Sequence, residues 1–220
     1  EKIREFALKT GFSACGFTEA KSLESQGEIL KSWLKNSYHA DMNYMSRNFE
    51  IRLNPSLLVK DARTIIVLIY NYFPSETQKK GSPLIAKYAY GKDYHVILKN
   101  KMNEIFSFIK QIDKSCKGRC FVDSAPVFER QYAVEAGLGW IGKNSCLVNK
   151  CFGSYVFISE IIINKEIPPD SGNEKSYCGN CTKCIDNCPT GAIVSPSVID
   201  SRKCISYHTI ESKNDVPAEI

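Results

Sequence analysis

The sequence predicts a layered α/β domain over residues 1–167, followed by a small cysteine-bound domain over residues 168–220. Two observations predict the first: helical and extended patterns alternate along it, and one of its strands is apolar on both faces. A third predicts the second domain. Of the ten cysteines, Cys15, Cys116, Cys120, Cys146 and Cys151 are scattered, whereas Cys178, Cys181, Cys184, Cys188 and Cys204 crowd together. A chain of 220 residues, 43% hydrophobic and 24% charged, has enough apolar material for a sizeable core and is neither a disordered tail nor a fibrous protein.

The elements follow in order. Ile3, Phe6 and Ala7 recur at helical spacing until Gly11. Ala14–Phe17 is a short apolar stretch, and Ile29, Leu30, Trp33 and Leu34 resume the helical period, so the chain opens helix, strand, helix. Thr64–Tyr70 is continuous and β-branched, which predicts a strand buried on both faces. From Tyr94 to Ile112, the residues Ile97, Leu98, Met102, Ile105, Phe106 and Ile109 share one helical face. Cys120–Val122 restarts an extended pattern, Glu129–Ala136 reads as a helix stopped by Gly137-Leu138-Gly139, and Tyr155–Ile163 is too β-branched to be helical. Ile167-Pro168-Pro169-Asp170-Ser171-Gly172 punctuates the chain and sets the domain boundary.

No apolar run reaches the roughly 18 residues of a membrane span, and Glu1-Lys2-Ile3-Arg4-Glu5 reads as a charged helix opening rather than a signal peptide. A cytosolic location is therefore expected, where thiols stay reduced and the cysteines are not a disulfide framework. The net charge of +5 favours a polyanionic partner without demanding one.

Cys178-x2-Cys181-x2-Cys184-x3-Cys188-Pro189 has the spacing of a bacterial ferredoxin. Three thiolates two residues apart can hold three corners of a cubane, whereas a zinc site usually wants two pairs held well apart. In this spacing the fourth cysteine ordinarily ligates a different cluster, so Cys188 predicts a second [4Fe–4S] centre, with Cys204 as a further ligand. Two cubanes take four thiolates each, and this region offers five, so the chain is expected to stop short of a second cysteine motif. Cys116 and Cys120 read as small packed residues rather than ligands.

Asp123 stands at the carboxyl end of a predicted strand, just before a helix, where ligand crevices of α/β sheets lie. A turn or N-cap role ahead of Pro126 stands beside that reading. The glycines of Gly137-Leu138-Gly139-Trp140-Ile141-Gly142 either let the backbone pass close to something flat or make a tight turn. They form neither a dinucleotide fingerprint nor a phosphate loop.

Taken together, Arg52-Leu53-Asn54-Pro55, Tyr90-Gly91-Lys92-Asp93-Tyr94-His95, Val122–Arg130, Gly137–Asn144, Gly153–Phe157, the cysteine run and Asp200–Tyr207 resemble the epoxyqueuosine reductases nearly end to end. The resemblance implies a cobalamin-binding layer of nitroreductase-like or reductive-dehalogenase-like fold, followed by a ferredoxin-like 4Fe–4S domain present in its N-terminal portion. It implies cobalamin contacts at Arg52, Asp123, Leu147 and Ile158, with Ala86 a weaker one, and Asp123 as proton donor. It also implies cluster ligands Cys178, Cys181 and Cys184 for one centre and Cys188 and Cys204 for the other. A tRNA substrate carrying epoxyqueuosine, a low-potential electron donor, a monomeric state and a tRNA contact at Lys213 complete it. Lys143, Arg202 and Lys203 are further candidate phosphate contacts, and His95 is expected at a helix start rather than on cobalt. Opening the epoxide expels an alkoxide, which gives an acid kept neutral by desolvation a task. Two other classes compete: a reductive dehalogenase, which usually carries an export signal and a tyrosine donor, and a plain ferredoxin fused to a binding domain.

Overall fold

The computed structural model describes residues 1–172, 175–218 and 220. Helix α1 (Lys2–Lys9), strand β1 (Ala14–Glu19) and helix α2 (Glu24–Lys35) open the chain, followed by the short helices α3 (Tyr44–Arg47) and α4 (Phe49–Leu53). Strand β2 (Thr64–Asn71), the long helix α5 (Tyr94–Ile112), β3 (Gly118–Phe121) and α6 (Glu129–Glu135) come next. The hairpin β4 (Trp140–Ile141) and β5 (Leu147–Val148) leads to β6 (Val156–Ile163). Helix α7 (Lys183–Asp186), β7 (Ile193–Ser195) and β8 (Val198–Ile199) belong to the cysteine-bearing segment.

The main sheet has the order β1-β2-β6-β3, and every pair in it is antiparallel. Its two faces follow from the alternation along β2. Ile66 and Leu68 point to one side and pack with Phe17, Leu98, Met102, Ile105, Ile161 and Ile163 beneath α1 and α5. Ile65, Val67 and Ile69 point to the other and pack with Phe121, Tyr132, Ala133 and Ile162 beneath α6. The expected two-sided burial of β2 is observed. The sheet's direction corrects one step of the sequence reasoning. Crevices at the carboxyl ends of strands are a property of parallel sheets, and this sheet has no parallel pair among the described residues. Asp123 does lie just past the end of β3, but its placement rests on the loop into α6.

The glycine-rich stretch also resolves. Gly139 has φ +149°, and a Cβ there would lie 2.3 Å from the carbonyl oxygen of Val148. The glycines turn the chain out of α6 and let the β4–β5 hairpin close on its own backbone, which is the plainer of the two expectations.

The segment after β6 docks along β1. The Asp170 carboxylate accepts the Phe17 N–H at 2.8 Å and the Arg4 guanidinium at 2.7 Å. Further on, the Trp33 indole donates to the Ile199 carbonyl at 2.7 Å, and the Ser201 N–H to the Tyr38 carbonyl at 2.9 Å. The cysteine-bearing segment is thereby fixed against α2 and the turn that follows it. Among the described residues no helix is long and apolar enough to cross a membrane.

Close packing of α6 on β1 depends on Gly16, where a Cβ would lie 2.4 Å from the carbonyl oxygen of Ala136. Gly16→Ala is expected to destabilise the domain by about 1–3 kcal/mol, read as a lower urea midpoint.

Candidate active site

Tyr90–His95 folds into the start of α5. The Asp93 carboxylate caps it by accepting the His95 N–H at 2.9 Å and also faces the imidazole Nδ1 at 2.8 Å. That cap turns His95 Nε2 to 3.5 Å from Asp123 Oδ2, and the Tyr94 hydroxyl donates to the same oxygen. The Tyr94 ring is clamped between His95 and Phe157, each at a centroid distance of 4.0 Å. Burial and the bond to Asp123 push the Tyr94 phenol well above its ordinary value, so it remains a donor at neutral pH.

Asp123 is left-handed at φ +56°, a conformation aspartate tolerates better than most residues. Its N–H donates to Glu129 Oε1 at 2.7 Å. Its carboxylate is held from one side by α5 and is otherwise open, with 60% of the side chain exposed. The expected desolvation is therefore not supplied by the described residues.

Beneath the loop lie two acids to which the sequence reasoning gave no role. Glu129 opens α6, and burial, then the nearby Asp123 charge, push its carboxyl up to about 7. Part of its side chain still touches solvent, but its carboxyl is closely surrounded by protein atoms. Glu160 is completely buried in β6, and neither carboxyl oxygen has a hydrogen-bond partner. Burial first, then the charges of Glu129 and Asp123, raise it well above the carboxylate range. One signal could have found it: an acid inside the β-branched run Val156–Ile163 is a charge where a charge is rarely tolerated.

A cleft of about 1360 Å³ runs beside the loop, bordered by Arg52, His95, Asp123, Glu129, Arg130 and Cys204. It exceeds the usual range for drug-sized ligands. Arg52 lines it with a buried Nε that has no partner, and burial lowers its guanidinium from the ordinary value. An unpaired buried cation donor beside a large cleft suits a bulky ligand with acceptor groups. Of the five expected cofactor contacts, Arg52 and Asp123 border this cleft and the other three do not. Leu147 is buried and Ile158 half-buried under α6, while Ala86 is exposed ahead of the turn Lys87–Ala89.

The cysteine loop is anchored from the α/β side. Lys143 Nζ donates to the carbonyls of Gly179 at 2.7 Å and Cys181 at 3.0 Å. Lys143 is thus engaged in holding the loop, which removes it as a free phosphate contact. Burial opposes ionisation of Cys178, but the Trp140 indole, the Lys143 backbone and Ser176 outweigh it and lower the thiol. The Trp140 N–H is otherwise buried without a partner. At Cys188, burial is likewise outweighed by the backbone of Ile193 and Ala192 and by Thr190. Thiolates favoured in this way suit cluster ligation. Among the described residues no three His, Cys, Asp or Glu side chains gather as a site for a single metal ion. Cys15 and Cys120 are packed inside, where burial pushes their thiols up to about 12 and about 11, and Cys116 is also buried. Arg202 grips Asp200 through two bonds of 2.8 Å, whereas Lys203 and Lys213 are exposed.

Comparison with known proteins adds the following. A family model described as "Epoxyqueuosine reductase QueG, DUF1730" matches residues 52–124, and one described as "4Fe-4S double cluster binding domain" matches 177–220. An epoxyqueuosine reductase of Cyclobacterium marinum is 46% identical over 98% of this chain and 70% of its own length. A solved epoxyqueuosine reductase with an epoxyqueuosine-modified tRNA-Tyr stem loop superposes with a TM-score of 0.88 at 31% identity, over 99% of this chain and 58% of that one. Another, from Bacillus subtilis, described with the catalytic loop of an aspartate swung out of the active site, gives 0.85 at 30%, over 99% and 58%. The chain thus spans less than two thirds of those solved structures. A reductive dehalogenase shares the fold alone, with a TM-score of 0.60 at 14% identity.

The buried acids predict a pH dependence of stability. An acid raised on folding keeps its proton where the unfolded chain has lost it, so the stability is full below about pH 4.3 and declines as pH rises through the folded values. Urea unfolding between pH 5 and pH 8 is expected to show a loss on the order of 2–4 kcal/mol, and Glu160→Gln to flatten it.

Proposed function

Because the chain belongs to the epoxyqueuosine reductase family, we propose that it reduces epoxyqueuosine to queuosine at the anticodon wobble position of tRNA, with Asp123 as proton donor. The observation that carries this reading is the Asp123 carboxylate, oriented by Tyr94 and His95 at the rim of a cleft large enough for a bulky cofactor and reaching Cys204. The aspartate loop described for the Bacillus subtilis relative supports the same role.

The reaction takes two electrons and two protons and releases water. Cobalamin, bound against Arg52 and Asp123 with Ala86, Leu147 and Ile158 as further contacts, would supply a metal able to store electrons and attack the substrate. Cys178, Cys181, Cys184, Cys188 and Cys204 would contribute five ligands to two [4Fe–4S] clusters that deliver electrons singly from a low-potential donor. In the two-unit division at 167/168, residues 1–167 hold the acid, residues 168–220 hold the thiolates, and both border the cleft. Arg52 offers an unpaired donor to an anionic or carbonyl group of the ligand. Tyr94 holds the Asp123 carboxyl toward the opening, and Asp123 protonates the oxygen that leaves the ring-opened epoxide. Bound substrate and cofactor cover the loop and supply the desolvation that the protein alone leaves out. Exposed Lys203 and Lys213 contact tRNA phosphates near the cluster-bearing end, in a cytoplasmic enzyme acting as a monomer.

The holoenzyme, reconstituted anaerobically with hydroxocobalamin, iron and sulfide, is expected to convert epoxyqueuosine-tRNA. Asp123→Asn should retain cobalamin by its visible spectrum and lose about 10²–10⁴-fold in turnover. Full activity in that variant would refute the proton-donor assignment.

A further inference from the structure

Both protons of the proposed reaction end on one atom. The epoxide oxygen takes the first as the ring opens and the second as it departs as water, while two electrons enter one at a time from the low-potential donor. Asp123 holds one proton, so between the two transfers it must be refilled, at a moment when substrate covers the loop and keeps solvent away.

The structure places an acid where that refilling is needed. Glu129 Oε1 takes the N–H of Asp123 itself at 2.7 Å, which sets this acid against the backbone of the donor residue. Under them Glu160 is sealed in the sheet with both oxygens unpartnered. A carboxylate there would be an uncompensated buried charge, and the charges of Glu129 and Asp123 disfavour it further, so Glu160 stays neutral. The charged and titratable groups facing Glu129 are Asp123, Arg130, Arg52 and Tyr94, and those facing Glu160 are Glu129, Asp123 and Tyr132. Burial and the Asp123 charge oppose ionisation of Glu129, and the Asp123 N–H and the cations favour it, so it titrates at about pH 7, where a carboxyl can both give and regain a proton.

We propose that Glu129 is the internal proton store that reprotonates Asp123 between the two proton transfers. The inference rests on the proposed reductase function. Each turnover then moves one proton from Glu129 to Asp123, leaves both Glu129 and Asp123 as carboxylates after the second transfer, and draws two protons from solvent to reload them once product leaves and the loop opens.

Two measurements test it. In the cofactor-free protein, infrared titration should show a buried protonated carboxyl band that fades as pH rises through neutrality and loses its titrating part in Glu129→Gln. A wild-type protein with no such band at pH 6 overturns the proposal, whatever the variants do. In the holoenzyme, wild-type turnover should fall as pH rises through neutrality, because the loaded store is the protonated form. Glu129→Gln keeps the acceptor for the Asp123 N–H, so the KM for tRNA should hold while kcat drops on the order of 10²-fold and loses that alkaline fall. Wild-type kcat and pH profile in Glu129→Gln overturn the proposal and leave the reductase reading standing. A wild-type holoenzyme inert toward epoxyqueuosine-tRNA overturns that reading instead, with the infrared band still deciding whether Glu129 carries a proton near neutrality.

Discussion

Strand β2 shows no solvent to either side from Thr64 to Ile69, and most of the architecture follows from covering it. One face takes α1 and α5, and the other takes α6 with the loop that leads into it. Its neighbour β6 is then buried too, and the register that pairs Val67 with Glu160 sets an acid into the middle of the sheet. Alternation along β6 turns Glu160 to the same face as Ile162, beneath α6. A carboxylate in that position is strongly disfavoured and a neutral carboxyl is not, so the packing demand of β2 fixes a protonation state some distance from any substrate. The charge of Glu129, which accepts the backbone N–H of Asp123, adds to that preference.

Much of this layout was legible in the sequence, because the signals were long and periodic. The helix from Tyr94 to Ile112 and the strand at Thr64 rest on many residues each, and the structure returns both. Strand direction was not legible. An alternation of helices and strands is compatible with several pairings, and the direction comes from long-range contacts that no local pattern encodes. At the site, Asp123 was marked by its place before α6, but its partners Tyr94 and His95 lie twenty-nine and twenty-eight residues away and meet it only because α5 packs beside β3. Glu129 was inside a recognised motif and still passed without a role, since its carboxyl acquires one only from burial. Lys143 shows the opposite error: a cation suggestive of phosphate is spent on two carbonyls of the cysteine loop.

The two halves of the chain meet through specific bonds rather than through a broad apolar face. Trp33 to Ile199, Ser201 to Tyr38, Lys143 to the cysteine loop and the Asp41–Tyr207 contact distribute the attachment around the cleft. Cys204 and Asp123 therefore border one space while belonging to segments of different character. An electron path and a proton path can converge there from opposite sides, one through thiolates favoured by hydrogen bonds and the other through carboxyls kept neutral by burial.

The exposure of Asp123 fits this division of labour. A donor sealed inside the protein could be kept protonated but could not be reached, and a freely rotating one could be reached but not aimed. Here the aim is internal, fixed by the Tyr94 hydroxyl on the carboxylate and by Glu129 on the backbone of a left-handed residue. In the proposed reaction the low-dielectric surroundings come from the substrate and cofactor that close over the loop, so they are present only while there is a substrate to protonate. A carboxyl that in this reaction meets water between turnovers and loses it during them cannot draw its second proton from solvent, and Glu129, which accepts the backbone N–H of the same residue, is an acid placed to release one.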